Sequence, residues 1–396
     1  MVTQYDVQVV RDHFPALKAG YAHFDGPGGS QVPDVVADAV ARTLLSPLAN
    51  RGRVTAAERA ADDIVAGARE AVAGLLGADP RGIVFGRSMT QLTYDMSRTL
   101  AATWSPGDEV VVTRLDHDAN IRPWVQAAEA VGAVVRWADF DPATGELSAE
   151  DVAAVLSPRT RLVAVTAASN LIGTCPPVRA ITDLAHEAGA LTYVDGVHHT
   201  AHAPVHVTTL GADFYACSPY KFLGPHCGVL AADPALLEGL RPQKLLPSTD
   251  AVPERFELGT LPYELLAGTT AAVEFLATLG MPAIAGHEDR LRVRIEECLA
   301  GLPVTVYSRA AHRTPTLLVS FGDRSPANAY AFLAERGVNA PAGSFYAIEA
   351  SRRLGLGDSG ALRIGLAPYV DDSDVDRLLD GLRSFVSGAS ANSGGR

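Results

Sequence analysis

The chain has 396 residues, 47% hydrophobic and 20% charged, with a formal net charge of −12. That length and mix fit a globular protein of one large or two ordinary domains, and the negative balance argues against nonspecific binding to nucleic acid or to an anionic membrane surface. Four scattered cysteines with no CxxC pair imply neither a disulfide framework nor a zinc site; without a signal-length apolar start or a membrane-length apolar run, the expected location is the cytoplasm.

In chain order, residues 1–20 are predicted to form an N-terminal arm with a short helix over 7–14, packed with a smaller C-terminal domain. Gly26-Pro27-Gly28-Gly29-Ser30 then makes a tight loop where backbone can come close to a ligand. Helices are predicted over 33–45 and 55–76, with Asn50-Arg51-Gly52-Arg53 between them. A strand over 83–85 runs into Ser88-Met89-Thr90 and a helix over 91–102. Strand, small polar loop and helix start form an anion site, because free N–H groups and the helix dipole both favour phosphate. Further strands are expected over 108–113, 133–137 and 161–167, with helices over 124–130, 149–156 and 178–187.

The stretch from Leu191 to Leu230 concentrates the chemistry. An apolar run over 191–194 ends on Asp195, and a second run over 213–217 leads into Ser218-Pro219-Tyr220-Lys221. In a parallel sheet the two ends share the edge where α/β folds bind ligands. A lysine there can hold pyridoxal phosphate as a Schiff base while an acid keeps the ring nitrogen protonated. Lys221 and Asp195 are the candidates for those roles. His198, His199, His202 and His206 lack the HExxH spacing of a zinc hydrolase, and no metal site is predicted.

Beyond Lys221, a proline-containing loop spans 241–253. Helices are predicted over 263–279, 288–299, 326–336 and 372–386. A strand of exposed-sheet pattern is predicted over 316–321 and another strand over 362–366. Residues 387–396 are a disordered tail by composition. The alternation of strands and helices implies an α/β fold, with a mostly parallel sheet flanked by helices in a large domain over 21–262. A smaller α+β domain is expected over 263–386.

Val194-Asp195-Gly196 with His198, followed by Ser218-x-x-Lys221-x-x-Gly224-Pro225, resembles the class V aminotransferases. These are the cysteine-desulfurase-like branch of the fold-type I pyridoxal phosphate enzymes, and the resemblance extends from Phe24 to Tyr369. It implies that Ser88, Met89 and Thr90 hold the cofactor's phosphate, with Thr90 the best side-chain ligand. It implies that His117 stacks on the ring, with Asn120 three residues on, that Asn170 bonds the phenolic oxygen, and that Ser218 lies on the cofactor side with Lys221. Phe256-Glu257-Leu258-Gly259-Thr260 resembles a motif whose Gly-Thr reaches the phosphate in the partner subunit, so a homodimer with shared sites is implied. Gly28 and Gly29 fall on the substrate side and Asn50 and Arg51 at the site mouth. Arg363 matches an arginine that grips an α-carboxylate through a bidentate fork. The partner implied is a small-molecule amino acid.

The chain departs from that pattern in three places. His198 stands where desulfurases have glutamine beside the phenolic oxygen, and Tyr220 where histidine precedes the lysine. The loop over 338–347 carries the persulfide-forming cysteine in desulfurases; here Phe345 or Tyr346 stands in its place, which makes Tyr346 a substrate-side candidate. The expected reaction is therefore β-elimination with C–S cleavage of cysteine or an S-substituted cysteine, the alternatives being transamination or epimerisation of an amino acid.

Overall fold

The computed structural model describes residues 5–388. Its larger sheet has seven strands: β1 Ile83–Gly86, β2 Glu109–Thr113, β3 Val134–Ala138, β4 Thr160–Thr166, β5 Leu191–Asp195, β6 Phe214–Cys217 and β7 Gly228–Ala232. They lie in the order β1-β7-β6-β5-β4-β2-β3. Every pairing is parallel except those of β7, which runs antiparallel to β1 and β6. Alternate residues feed two cores: Val110 and Val112 pack on one face, Val111 on the other. Burial on both faces is why the central strands read as near-continuous apolar runs, while β3 at the edge is partly exposed.

Four short strands form the smaller sheet: β8 Thr305–Val306, β9 Thr316–Ser320, β10 Ala342–Gly343 and β11 Ala361–Gly365. They lie in the order β10-β11-β9-β8, all antiparallel. The N-terminal segment is tied to this end of the molecule. Arg11 pairs with Asp371 at 3.3 Å and Asp374 at 2.6 Å, and Ala22–His23 pairs in parallel with Val338–Asn339.

Several expectations need correction. β7 was not predicted, because a glycine followed by a mix rich in alanine is a weak strand signal; its place between β1 and β6 makes it a strand. β9 is not exposed: Thr316 to Val319 are buried, since β9 is flanked by two strands and its side chains join the main core. The helix predicted over 288–299 begins earlier, as Met281–Leu299. Its Pro282 sits in the first turn, where a missing N–H breaks no bond. The helix Tyr263–Leu279 packs on Asp34–Leu45 and Ala56–Leu76 of the larger layer. That contact is close: a Cβ on Gly268 would stand 2.7 Å from the Val40 side chain. Ser387 is the last residue of the helix Asp372–Ser387, and the predicted tail past Gly388 lies outside the described residues. Among the described residues, no single helix is long and apolar enough to cross a membrane.

Candidate active site

The carboxyl ends of the parallel strands meet at one edge. Asp195 ends β5 opposite Ala216 of β6, and Lys221 closes a single helical turn just past β6. A cavity of about 80 Å³ opens here, walled by Asp195, His198, Ser218 and Lys221 on one side and by Ser88, Met89, Thr90 and His117 on the other. Through Thr90, His117, Asn170 and Lys221 it shares a wall with a larger cavity of about 590 Å³, which reaches Gly28, Tyr346 and Arg363.

Burial sets the charges of this wall. The Lys221 amine is pushed down to about 7, by burial first and Arg363 second, with Asp195 opposing. It donates a short hydrogen bond to the Pro27 carbonyl. The Asp195 carboxyl is raised to about 6 by burial, against the pull of the Val197 N–H, which it accepts at 2.9 Å, and of Lys221. Burial raises the neighbouring Asp116 to about 8. Its carboxylate accepts from Thr113 Oγ1 and Asn120 Nδ2, which opposes that rise. His117 falls to about 4, through burial and then Lys221 and Arg363. Its Nδ1 accepts the Ala119 N–H at 3.0 Å, so its own proton is on Nε2.

One end of the smaller cavity is a helix start. Ser88 caps the helix Met89–Ala101 and its hydroxyl accepts the Gln91 N–H. The N–H groups of Met89 and Thr90 precede the first intrahelical bond and remain available. The helix sits tight on β7 because residue 228 has no side chain: a Cβ there would stand 2.3 Å from the Ser88 backbone.

On the substrate side, Arg363 comes from β11 and is buried. Its Nη1 donates to the Asn170 carbonyl at 3.0 Å, and its guanidinium lies 3.6 Å from the Phe345 ring centroid. Its Nε is buried without a partner, which leaves the Nε–Nη2 edge as a fork. Gly28 lies beside that edge, where a Cβ would make ordinary contact with Nη2 at 3.4 Å. Gly29 faces the Tyr220 ring, 3.2 Å from a would-be Cβ. Phe345 and Tyr346 both have positive φ, 52° and 59°. Their carbonyls accept from Asn170 Nδ2 at 2.9 Å and from the Asp118 N–H at 2.7 Å. Tyr346 is 76% exposed, its ring 5.5 Å from that of His117.

Not every predicted residue arrives. Arg51 is held by Asp62 at 2.7 Å and lies 3.4 Å from Glu254, so within one chain neither it nor Asn50 lines the cavities. Gly259 and Thr260 sit on an exposed loop and line neither cavity. Asn120 is buried between Asp116 and Trp124 and braces the loop rather than facing the cavity. Tyr94 and Arg122 also line the larger cavity, and Thr314 and Thr316 contact His198; none of the four is predicted from the sequence. Tyr94 was legible, since it lies four residues after Thr90 on the same helix face. The threonines belong to a strand distant in sequence, and no local signal pairs them with His198.

The donor set fits pyridoxal phosphate. A buried carboxyl with one backbone donor awaits a cation. A helix start with free N–H groups suits a phosphate. A lysine amine that is substantially neutral near pH 7 suits a covalent link. Asn170 Oδ1 is a further buried polar atom without a partner. Comparisons with known proteins agree. The family model "Aminotransferase class-V" matches residues 22–378. An uncharacterized protein of Mycobacterium tuberculosis is 34% identical, over 96% of this chain and 99% of its own. A probable cysteine desulfurase of Pseudomonas aeruginosa is 34% identical, over 93% and 96%. The crystal structure of the cysteine desulfurase CsdA from Escherichia coli superposes with a TM-score of 0.90 at 28% identity, over 97% and 99%. The chain therefore belongs to the class-V aminotransferase family and is a pyridoxal-phosphate-dependent, cysteine-desulfurase-like enzyme of the fold-type I architecture.

Proposed function

We propose that the enzyme breaks the Cβ–S bond of cysteine or an S-substituted cysteine by β-elimination, without a protein-bound persulfide. The loop over 344–347 carries this proposal. Phe345 stacks on Arg363 and Tyr346 stands at the cavity mouth, where a desulfurase would present its thiol. None of the four cysteines lines either cavity. Burial raises the Cys175 and Cys227 thiols to about 11 and Cys217 higher still. A thiol so raised is not a nucleophile near neutral pH.

The bound cofactor supplies an electron sink for negative charge at the substrate's Cα. Lys221 would hold the cofactor covalently and, as a free neutral amine, would take the Cα proton. Its depressed pKa leaves a large neutral fraction near pH 7. Asp195 would keep the ring nitrogen protonated, and Ser88, Met89 and Thr90 would hold the phosphate. His117, neutral with its proton on Nε2, would lie against the ring. Arg363 grips the α-carboxylate through its Nε–Nη2 edge, while Phe345 keeps the guanidinium plane fixed. With no nucleophile needed at sulfur, the 590 Å³ cavity can take a large S-substituent.

The working form we propose is a homodimer. Leu44, Leu45, Val54, Leu245 and Leu246 are exposed, Leu246 at 97%, and so many bare large hydrophobic residues favour burial against a partner. Gly259 and Thr260, free of their own chain's site, would reach the partner's phosphate.

The experiment replaces each of Cys175, Cys217, Cys227 and Cys298 with serine and assays pyruvate and ammonia from S-alkyl cysteines. Pyruvate release by every variant is expected. Alanine as product, or a persulfide on one cysteine whose loss stops turnover, would restore the desulfurase reaction. Stoichiometric 2-oxo acid with an aminated cofactor would establish transamination.

A further inference from the structure

His198 lies at the edge of the larger sheet but is held from the smaller one. Its Nε2 is 2.9 Å from Thr314 Oγ1 and 3.0 Å from Thr316 Oγ1. Thr316 opens β9, Thr314 precedes it by two residues, and both are buried, as is His198.

These contacts decide where the ring carries its proton. An imidazole nitrogen facing two hydroxyl oxygens is either an N–H shared between them or a lone pair that can be matched by hydroxyl donors. Thr314 Oγ1 has two longer alternatives for its own proton, the Gly173 carbonyl at 3.4 Å and Thr316 Oγ1 at 3.5 Å, so it can face Nε2 as an acceptor at 2.9 Å. The opposite tautomer would leave an Nδ1–H with no protein acceptor among the described residues, and an orphaned donor is the costlier arrangement. A second proton on the ring is disfavoured: burial, then His202, Lys221, Arg363 and His199, hold His198 well below the ordinary imidazole value. The His202 ring stands 4.8 Å away. Nδ1 makes no hydrogen bond to the protein among the described residues, and the ring lines the cavity with Asp195 and Lys221.

We propose that Thr314 and Thr316 are positioning residues that fix His198 in its Nε2–H form and so present a bare Nδ1 acceptor to the cofactor cavity. The inference rests on the cofactor assignment and adds a property to it. A carboxamide at this place could donate a hydrogen bond; His198 only accepts one. An oxygen bound against Nδ1 must bring its own proton, so the cofactor's phenolic group is favoured in its protonated form.

The test starts from the full chain without cofactor, where nitrogen chemical shifts of His198 report the tautomer directly. Nε2–H is expected in the wild type and in the Thr314→Ser/Thr316→Ser double variant. Thr314→Val/Thr316→Val removes both oxygens at nearly constant shape. There the proton is expected to move to Nδ1, and the absorption maximum of the cofactor-loaded protein to shift, while the serine variant matches the wild type. Nδ1–H in the wild type would overturn the proposal, as would a valine variant unchanged in both tautomer and absorption. Should the valine variant fail to fold, the wild-type and serine-variant tautomers still decide. Failure of the cofactor assignment would be visible separately, as wild-type protein that gains no chromophore while its tautomer remains measurable.

Discussion

Lys221 and Arg363 carry opposite demands on one charge field. Arg363 is buried and Lys221 half-buried, and each is depressed by its surroundings, Lys221 to about 7 and Arg363 to about 9. Covalent attachment of the cofactor uses the neutral amine, so its rate on cofactor-free protein should rise with pH and level off above about 7. An ordinary lysine would keep climbing toward about 10. Stopped-flow absorbance across pH checks this. Lys221→Ala should abolish attachment, with borohydride reduction and peptide mapping as the readout; label on another lysine would refute the assignment. Arg363→Lys loses both the fork and the stack on Phe345. It should lower kcat/KM by roughly 10- to 100-fold, the size of one or two charge-assisted hydrogen bonds, with the bound cofactor's spectrum unchanged.

Elements, more than residues, were legible in the sequence. The strands that end on Asp195 and Cys217 were plain because parallel strands buried on both faces are unbroken apolar runs. The helix start after β1 announced itself through Ser88 and the small polar loop. β7 and the buried nature of β9 were not legible, since their neighbours in the sheet define them and no sequence period does. The same holds for the grip of Thr314 and Thr316 on His198. Arg51 was not decided by the sequence, because an exposed-loop arginine looks the same whether it meets a substrate or Asp62, its partner within one chain. The helix start yields a prediction of its own. Gly228→Ala forces a Cβ against the Ser88 backbone, which cannot yield as a side chain would. It should cost about 1–3 kcal/mol of stability and weaken cofactor retention, measured by thermal unfolding and by equilibrium dialysis. Ser88→Ala removes only the cap, about 1 kcal/mol, and should have the milder effect on both.

At the scale of the whole molecule, the site draws on three distant portions of chain: the glycine loop near Gly28, the larger sheet's edge from Ser88 to Lys221, and the smaller sheet through Thr314, Thr316 and Arg363. A fourth portion, Gly259-Thr260, is proposed to come from the partner. Mixing Lys221→Ala protomers with Thr260→Ala protomers should therefore restore activity in hybrid dimers, each with one site that keeps both groups. Activity that stays absent after subunit exchange, verified by sedimentation and mass spectrometry, would show the sites to be self-contained. The interleaving of the three portions has a practical corollary. Were the polypeptide cut between the helices Tyr263–Leu279 and Met281–Leu299, the first fragment would keep Lys221, Asp195 and the rest of the smaller cavity's wall, and the second would keep Arg363 and the threonines that hold His198. Substrate turnover would then report reassociation of the halves, making the enzyme a split reporter read through its own product.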